Sequence, residues 1–299
     1  MSTKQKGKNE MIKKFTAFSL ALLLIFALTG CGGSSNQTKL GNDSKAQTAA
    51  DKVAVTIDNM VLLDQDGLMI TALELVEDPL RGLGVKVLIE NNTAANLGVQ
   101  CKSLIVNGYM MTELFSNTVA AGKKVNDTIF LSSAQLEAAG ITSISDITMS
   151  FHIFDPSSFA TLFDTNEIEI RTSAYGTIPQ PAMDDGKELF NQDGIRIVGR
   201  YIEDDTFWGT GVMLFIENNH GENIIVQSDN MSINGFMVTP YFSSTVNTGR
   251  KALSEITIMS NDLDKNNIDK IENIELNFKI LNPDSFQTIL ETGPIAFSI

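Results

Sequence analysis

Leu104-Ile105-Val106-Asn107-Gly108-Tyr109-Met110-Met111 is the stretch on which the reading of the fold turns. A type I′ turn needs positive φ at both central residues, and Asn-Gly meets that demand better than most pairs. Between two apolar runs, Asn107-Gly108 therefore predicts a tight β-hairpin. The same dipeptide returns 127 residues later as Asn234-Gly235.

Working outward from these hairpins, an offset of 127 lays Leu62–Thr172 on Leu189–Ile299 without a gap. Of the 111 aligned pairs 40 are identical, which points to a tandem duplication. Gln65-Asp66-Gly67 meets Gln192-Asp193-Gly194, and Glu90-Asn91-Asn92 meets Glu217-Asn218-Asn219. Further on, Phe115-Ser116 meets Phe242-Ser243, and Ser158-Phe159 meets Ser285-Phe286. Each copy has the length of an ordinary domain, and two units are too few and too long for a solenoid. The expected organisation is a leader over 1–30 and a flexible tether over 31–50. A first β-sandwich repeat over 51–172, a linker over 173–186 and a second repeat over 187–299 follow. The tether is rich in Ser, Asn, Gln, Thr, Lys and Ala, and the linker carries Pro179 and Pro181. Each copy is expected to bury its own core, with few contacts crossing the linker.

Within a copy the apolar period is two. Val85, Val87 and Ile89 recur at every second position, as do Ile147, Met149, Phe151 and Ile153, and again Ile274, Leu276, Phe278 and Ile280. Such runs predict strands with one face in a core. Val53–Ile57 alternates too and predicts a leading strand in the first copy. One short helix is expected over Ser133–Gly140, opened by a capping residue and closed by glycine, with a poorer partner at Ser260–Asn267. Seven or eight strands in roughly 110 residues, with a turn signal about every 10, predict a sandwich. The fold class expected is all-β: two tandem antiparallel immunoglobulin-like β-sandwiches related by internal duplication. The Cys…Trp…Cys core of antibody domains is absent, so the likeness is one of architecture.

The N-terminus carries a different signal. A basic start, an apolar run from Phe15 to Leu28 and small residues before a cysteine make an export signal. The run is shorter than the about 20 residues a membrane span needs. Met11-Ile12-Lys13-Lys14 is itself an adequate basic start, so Met1 and Met11 both stand as initiators. Leu28-Thr29-Gly30-Cys31 resembles the cleavage site of bacterial lipoproteins, which implies that Cys31 is lipidated and tethers the chain outside the cytoplasmic membrane. In the repeats, Ile89-Glu90-Asn91-Asn92-Thr93, Val99-Gln100, Val106-Asn107-Gly108-Tyr109, Ala121-Gly122-Lys123-Lys124, Gly140-Ile141 and Phe151-His152-Ile153-Phe154-Asp155 resemble the repeating unit of uncharacterised lipoproteins of low-GC Gram-positive bacteria. Those are similar to immunoglobulin-like domains of secreted bacterial antigens. The resemblance implies a fold and a location at the cell membrane, with no activity attached.

Removing residues 1–30 takes five lysines and Glu10, leaving 17 of 22 basic and 35 of 36 acidic residues, a formal −18. Such a surface repels nucleic acid and anionic headgroups, so no nucleic-acid partner is expected. With Cys31 lipidated, Cys101 stands alone and no intramolecular disulfide is expected; it reads as a small buried hydrophobe. Neither His152 nor His220 shows an acidic companion in the sequence. With one thiol and two distant histidines, no zinc spacing exists. Asp64-Gln65-Asp66-Gly67 resembles the opening of a calcium loop, but strand-like residues follow at once and a β-turn is the expected reading. Glu90-Asn91-Asn92 reads as structural strand-exit chemistry, or as three grouped oxygens. Lys123-Lys124 and Arg250-Lys251 read as solvated turns, with an anionic contact as the alternative. No catalytic, metal or cofactor site is assigned, and no enzyme activity is expected.

The loop Glu77–Gly82 becomes Asp204-Asp205-Thr206-Phe207-Trp208-Gly209 in the second copy, holding the chain's single Trp. Phe207 and Trp208 form either a lid over the core edge, the reading preferred, or a binding loop, since exposed aromatics anchor interfaces. The function expected is a lipid-anchored, non-enzymatic binding or accessory module with a protein or cell-envelope partner. The alternative is a carrier of a small ligand or metal ion.

Overall fold

Val85, Val87 and Ile89 are fully buried, as are Ile147, Met149, Phe151 and Ile153 and their counterparts Ile274, Leu276, Phe278 and Ile280. The period of two therefore does what alternation must: one face of each strand enters a core. The protein is described from a computed structural model, which covers residues 37–39, 55–112, 114–180, 182–206 and 209–298. The leader and Cys31 lie outside the described residues. No described helix is long and apolar enough to cross a membrane.

The chain is nearly all β. One sheet of the first repeat is antiparallel, in the order β2 (Met60–Gln65), β3 (Leu68–Asp78), β4 (Gly82–Asn91), β8 (Lys124–Phe130). The facing sheet centres on β5 (Leu97–Val106) and β9 (Asp146–Phe154). Its edges are interrupted: β6 (Tyr109–Met111) and β7 (Ser116–Val119) share the outer side of β5, while β10 (Thr161–Asp164) and β11 (Ile168–Arg171) share that of β9. Among the described residues ten strands thus make eight rows, more pieces than the sequence expectation of seven or eight strands, because loops break two edges.

The second repeat follows the same path. Its first sheet holds β12 (Lys187–Gln192), β13 (Ile195–Thr206), β14 (Gly209–Asn218) and β18 (Arg250–Met259). Its second holds β15 (Ile224–Ile233) and β19 (Asn273–Leu281), flanked by β16 (Phe236–Met237), β17 (Ser243–Val246), β20 (Thr288–Glu291) and β21 (Ile295–Ser298). The turn geometry recurs as well. Asp66-Gly67, Asn107-Gly108, Asp193-Gly194 and Asn234-Gly235 all have positive φ, between 50° and 84°. The helix Ser133–Ala138 takes its cap from Ser132, one residue earlier than expected, whose Oγ accepts from Gln135 N at 3.4 Å. Gly140 ends it at φ 62°, and in the second repeat Asn267 takes the same left-handed conformation at 52°. Asn tolerates that region better than other side-chain-bearing residues, so this departure from the first copy costs little.

Three features depart from the sequence reading. Residues 55–59 form no strand, although Thr56 pairs with Ser173 through its N–H, which donates to Ser173 Oγ at 3.0 Å, and its carbonyl, which accepts from Ser173 N at 2.9 Å. Within the tether, β1 (Gln37–Lys39) runs antiparallel to Tyr201–Glu203 of β13. The linker is also tied down. Arg196 donates to Asp184 Oδ2 at 2.8 Å, and the buried Arg200 donates twice to Asp185 Oδ1, at 2.7 and 3.2 Å. Arg196 holds the Asp184 carboxyl below the usual carboxylate range.

Contacts between the repeats are correspondingly extensive, and the described residues of both form one compact unit. There are two hydrophobic clusters, but Val198 and Phe215 of the second repeat belong to the first cluster, and Met110 of the first repeat packs on the second. Lys251 N donates to Gly108 O at 3.0 Å, and Lys251 pairs with Tyr109 in parallel. That contact fuses the β5–β9 sheet of one repeat with the β13–β14–β18 sheet of the other.

Candidate functional site

Asn91 and Asn218, identical at the 127-residue offset, are fully buried. Asn91 Nδ2 donates to Ala95 O at 2.8 Å and Val119 O at 2.9 Å, while its Oδ1 accepts from Thr93 N at 2.9 Å and Thr93 Oγ1 at 2.7 Å. Asn218 Nδ2 donates to Glu222 O at 3.0 Å and Val246 O at 2.8 Å, and its Oδ1 accepts from His220 N at 2.9 Å. Each amide pins a loop to a neighbouring strand. Both its nitrogen donors and its oxygen are engaged inside the fold, which is the structural reading of Glu90-Asn91-Asn92. The neighbouring Glu90 is salt-bridged to Lys124. Asp64-Gln65-Asp66-Gly67 closes the β2–β3 hairpin.

Cys101 is buried and its Sγ donates to Ser103 O at 3.3 Å. Its cross-strand partner is Phe151, so it points into the core while His152 points the other way. The sequence assigned His152 no acidic companion; the structure corrects this. Pairing of β9 with β10 sets His152 Nδ1 2.5 Å from Asp164 Oδ1, and Lys102 Nζ lies 2.6 Å from Asp164 Oδ2. The His152 ring also stacks on Phe154, centroids 5.6 Å apart. Burial alone would raise the Asp164 carboxyl, but hydrogen bonds from Lys102 and His152 outweigh it and hold it below the ordinary range. In the second repeat Lys279 meets Glu291 at 3.2 Å in the same place. An outward ion pair at matched positions is surface chemistry, and the intervening strand keeps Cys101 away from it. His220 Nδ1 sits 3.0 Å from Asp193 O.

In the first repeat, the loop after β3 is closed by Asp78, whose Oδ1 accepts from Leu80 N and Arg81 N, both at 2.8 Å. These donors hold its carboxyl low. Arg81 lies over the Phe130 ring, 3.8 Å from its centroid. Phe207 and Trp208, at the matching loop, lie outside the described residues.

The feature that sequence reasoning missed is a groove of about 710 Å³ between the repeats. One wall comes from β5, β6 and β9, the other from β17 and β18 with the loop before β18. Two hydroxyl pairs line it, Ser103 with Ser150 and Ser244 with Ser254, each at 2.7 Å. Thr245, Asn247 and Thr248 continue the polar lining, and Met110, Met111 and Leu253 supply an apolar strip. Glu167 spans the gap: its Oε1 accepts from Asn247 Nδ2 at 2.6 Å and its Oε2 from Arg250 Nη2 at 2.7 Å. In the first repeat the positions of Ser244 and Ser254 hold Asn117 and Asp127, paired at 2.7 Å. The clue available in the sequence was Tyr109-Met110-Met111, which does not alternate. A hairpin arm apolar on both faces has something covering its outer side.

No protein-family model matches the chain, and no curated protein gives a significant match. Among solved structures, it is similar to the YadV chaperone at 14% identity and a TM-score of 0.23, covering 72% of this chain and 92% of that one. A Salmonella enterica SafA pilin in complex with the SafB chaperone gives 14% identity and a TM-score of 0.20, over 72% and 89%. The exo-chitosanase CsxA of Amycolatopsis orientalis gives 14% and 0.25, over 72% of this chain but 25% of that one. At these TM-scores the likeness carries no argument about function.

Proposed function

We propose that this chain is a lipid-anchored, non-enzymatic binding module of the extracytoplasmic face, whose ligand is an uncharged, polyhydroxylated chain such as a cell-envelope glycan. The observation that carries the reading is the inter-repeat groove. Its volume suits a small-ligand site, and its lining is mainly hydroxyl and amide. Hydroxyls donate and accept at once, so paired serines match the hydroxyls of a sugar. Lys102, Glu167 and Asp284 are the charged groups of the lining, and Glu167 is committed to Arg250. A strongly anionic ligand would also meet the acidic surface of the whole protein. The location rests on the resemblance at Cys31.

Filling the groove tests this. Thr245→Trp, at an exposed position of the lining, should reduce retention of the protein on isolated envelope glycan at least tenfold while the melting temperature stays near the parent's. Equal retention by the filled variant would place recognition elsewhere. The alternative site is the loop at Phe207 and Trp208, where aromatic anchors contribute about 2 kcal/mol or more to an interface. Trp208→Ala that weakens retention without lowering the melting temperature would assign recognition to that loop. A lower melting temperature with retention intact would make Trp208 a lid.

A further inference from the structure

The contact between the two repeats is heterologous. The β5–β6 hairpin of the first repeat docks on the β18 edge of the second, and neither surface is its own partner. In a chain whose repeats share their strands at a 127-residue offset, such a contact leaves both halves unused at the far ends. The unused hairpin is Asn234-Gly235-Phe236-Met237, and the unused edge is β8, the last strand of its sheet among the described residues.

Burial distinguishes the used hairpin from the unused one. Tyr109, inside the internal contact, is 2% exposed; its counterpart Phe236 is 48% exposed and the neighbouring Met237 62%. Both are large apolar side chains on a surface arm. On the edge strand, Lys251 is replaced by the matching Lys124, and Gly108 by Gly235. Lys251 N donates outward from its sheet to Gly108 O, so Lys124 N is placed to donate to a Gly235 carbonyl. Lys124 also repeats the carboxylate pairing of Lys251: Glu90 bonds Lys124 as Glu217 faces Lys251.

We propose that the occupant of these surfaces is a second copy of this chain. The Phe236–Met237 arm of one molecule joins the β8 edge of the next in parallel, with Lys124 beside Phe236. A heterologous contact closes into a ring or runs on as a filament, so association proceeds beyond the dimer. It is weaker than the internal contact. The Glu167 clamp is not repeated, because the positions of Glu167, Asn247 and Arg250 hold Pro294, Ala120 and Lys123. Thr71 and Leu88 stand where Val198 and Phe215 pack internally. The internal contact is therefore permanent and the external one reversible.

Engineered cysteines in the full chain test the register on the cell. A chain carrying both Lys124→Cys and Phe236→Cys should give a ladder of disulfide-linked species on a non-reducing gel. Cells making the two single-cysteine chains together should give a cross-linked dimer and nothing larger. Each single-cysteine chain made alone should stay largely monomeric, since neither surface meets its own copy. Both positions are exposed, and melting of the reduced variants should match the parent. Monomer from the double-cysteine chain, with that melting unchanged, overturns the proposal. Dimer from either single-cysteine chain alone, as abundant as from the pair, overturns it equally, because it reports a symmetric or random encounter.

Discussion

Changing Cys31 to Ala is expected to abolish lipid attachment. Under the proposed reading the lipid on Cys31 is the whole of the attachment. No described helix is long and apolar enough to span a bilayer. The mature surface, with its formal −18, is repelled by anionic headgroups. Each buried methylene of an acyl chain contributes about 0.8 kcal/mol to membrane binding, and no described feature replaces that once the leader is removed. Two measurements check it: partition of the protein between detergent-rich and aqueous phases, and the mass of its N-terminal peptide. The parent should enter the detergent phase with a modified Cys31 at its start. The Cys31→Ala chain should either keep its leader or be released into the medium. Mature Cys31→Ala protein that still partitions like the parent would sink the lipoprotein reading.

The sequence was most legible where a backbone requirement selects residue types directly. Positive φ at two successive positions selects Asn-Gly and Asp-Gly, and all four such hairpin turns stand where those pairs place them. Alternation in Ile147–Ile153 and Ile274–Ile280 named buried faces correctly, because a pleated strand has no other way to sort its side chains. The leading strand expected at Val53–Ile57 failed in its described part because alternation is a local signal. A strand also needs a ladder partner, and among the described residues Thr56 bonds Ser173 alone.

The groove was illegible for a different reason. Its walls belong to β5 and β9 on one side and β17 and β18 on the other, and β9 ends at Phe154 while β17 begins only at Ser243. Only the docking of one repeat on the other brings them together. Docking in turn depends on Tyr109, Val198 and Phe215, whose apolar character reads equally well as core of their own repeat. The contact of His152 with Asp164 was missed because it depends on the register of β10 against β9. A single register step would have put the carboxylate on the other face. Conversely, the linker was expected to carry few contacts, since nothing local announces that Arg196 and Arg200 lie across from Asp184 and Asp185.

Losing the buried side-chain amide of Asn218 should cost the fold heavily. Asn218→Ala removes two donors and an acceptor from a fully buried site. Backbone groups left without partners there cost about 1–3 kcal/mol each, so a loss of roughly 3 kcal/mol is expected. For a chain of this size that lowers the melting temperature by about 8 °C. Asn218→Asp keeps the shape and should be worse at neutral pH. The carbonyls of Glu222 and Val246, which now accept from Nδ2, would face a carboxylate oxygen in a buried site. Burial and those carbonyls both disfavour the charged form, so the folded-state pKa of the new Asp is raised above its unfolded value. The penalty is then fully present above the folded pKa and is relieved as pH falls through it towards the unfolded value. The measurement is the melting temperature of parent, Asn218→Ala and Asn218→Asp between pH 4 and pH 8. Asn218→Asp should lie below Asn218→Ala at pH 8 and close on it as the buffer is acidified. Parallel curves for the two variants across that range would mean that water reaches the site and that the amide is not the lock on the β14 exit. The same substitution at Asn91 should reproduce the pattern in the first repeat, where Thr93 Oγ1 adds a further hydroxyl to the amide oxygen and the loss is correspondingly larger.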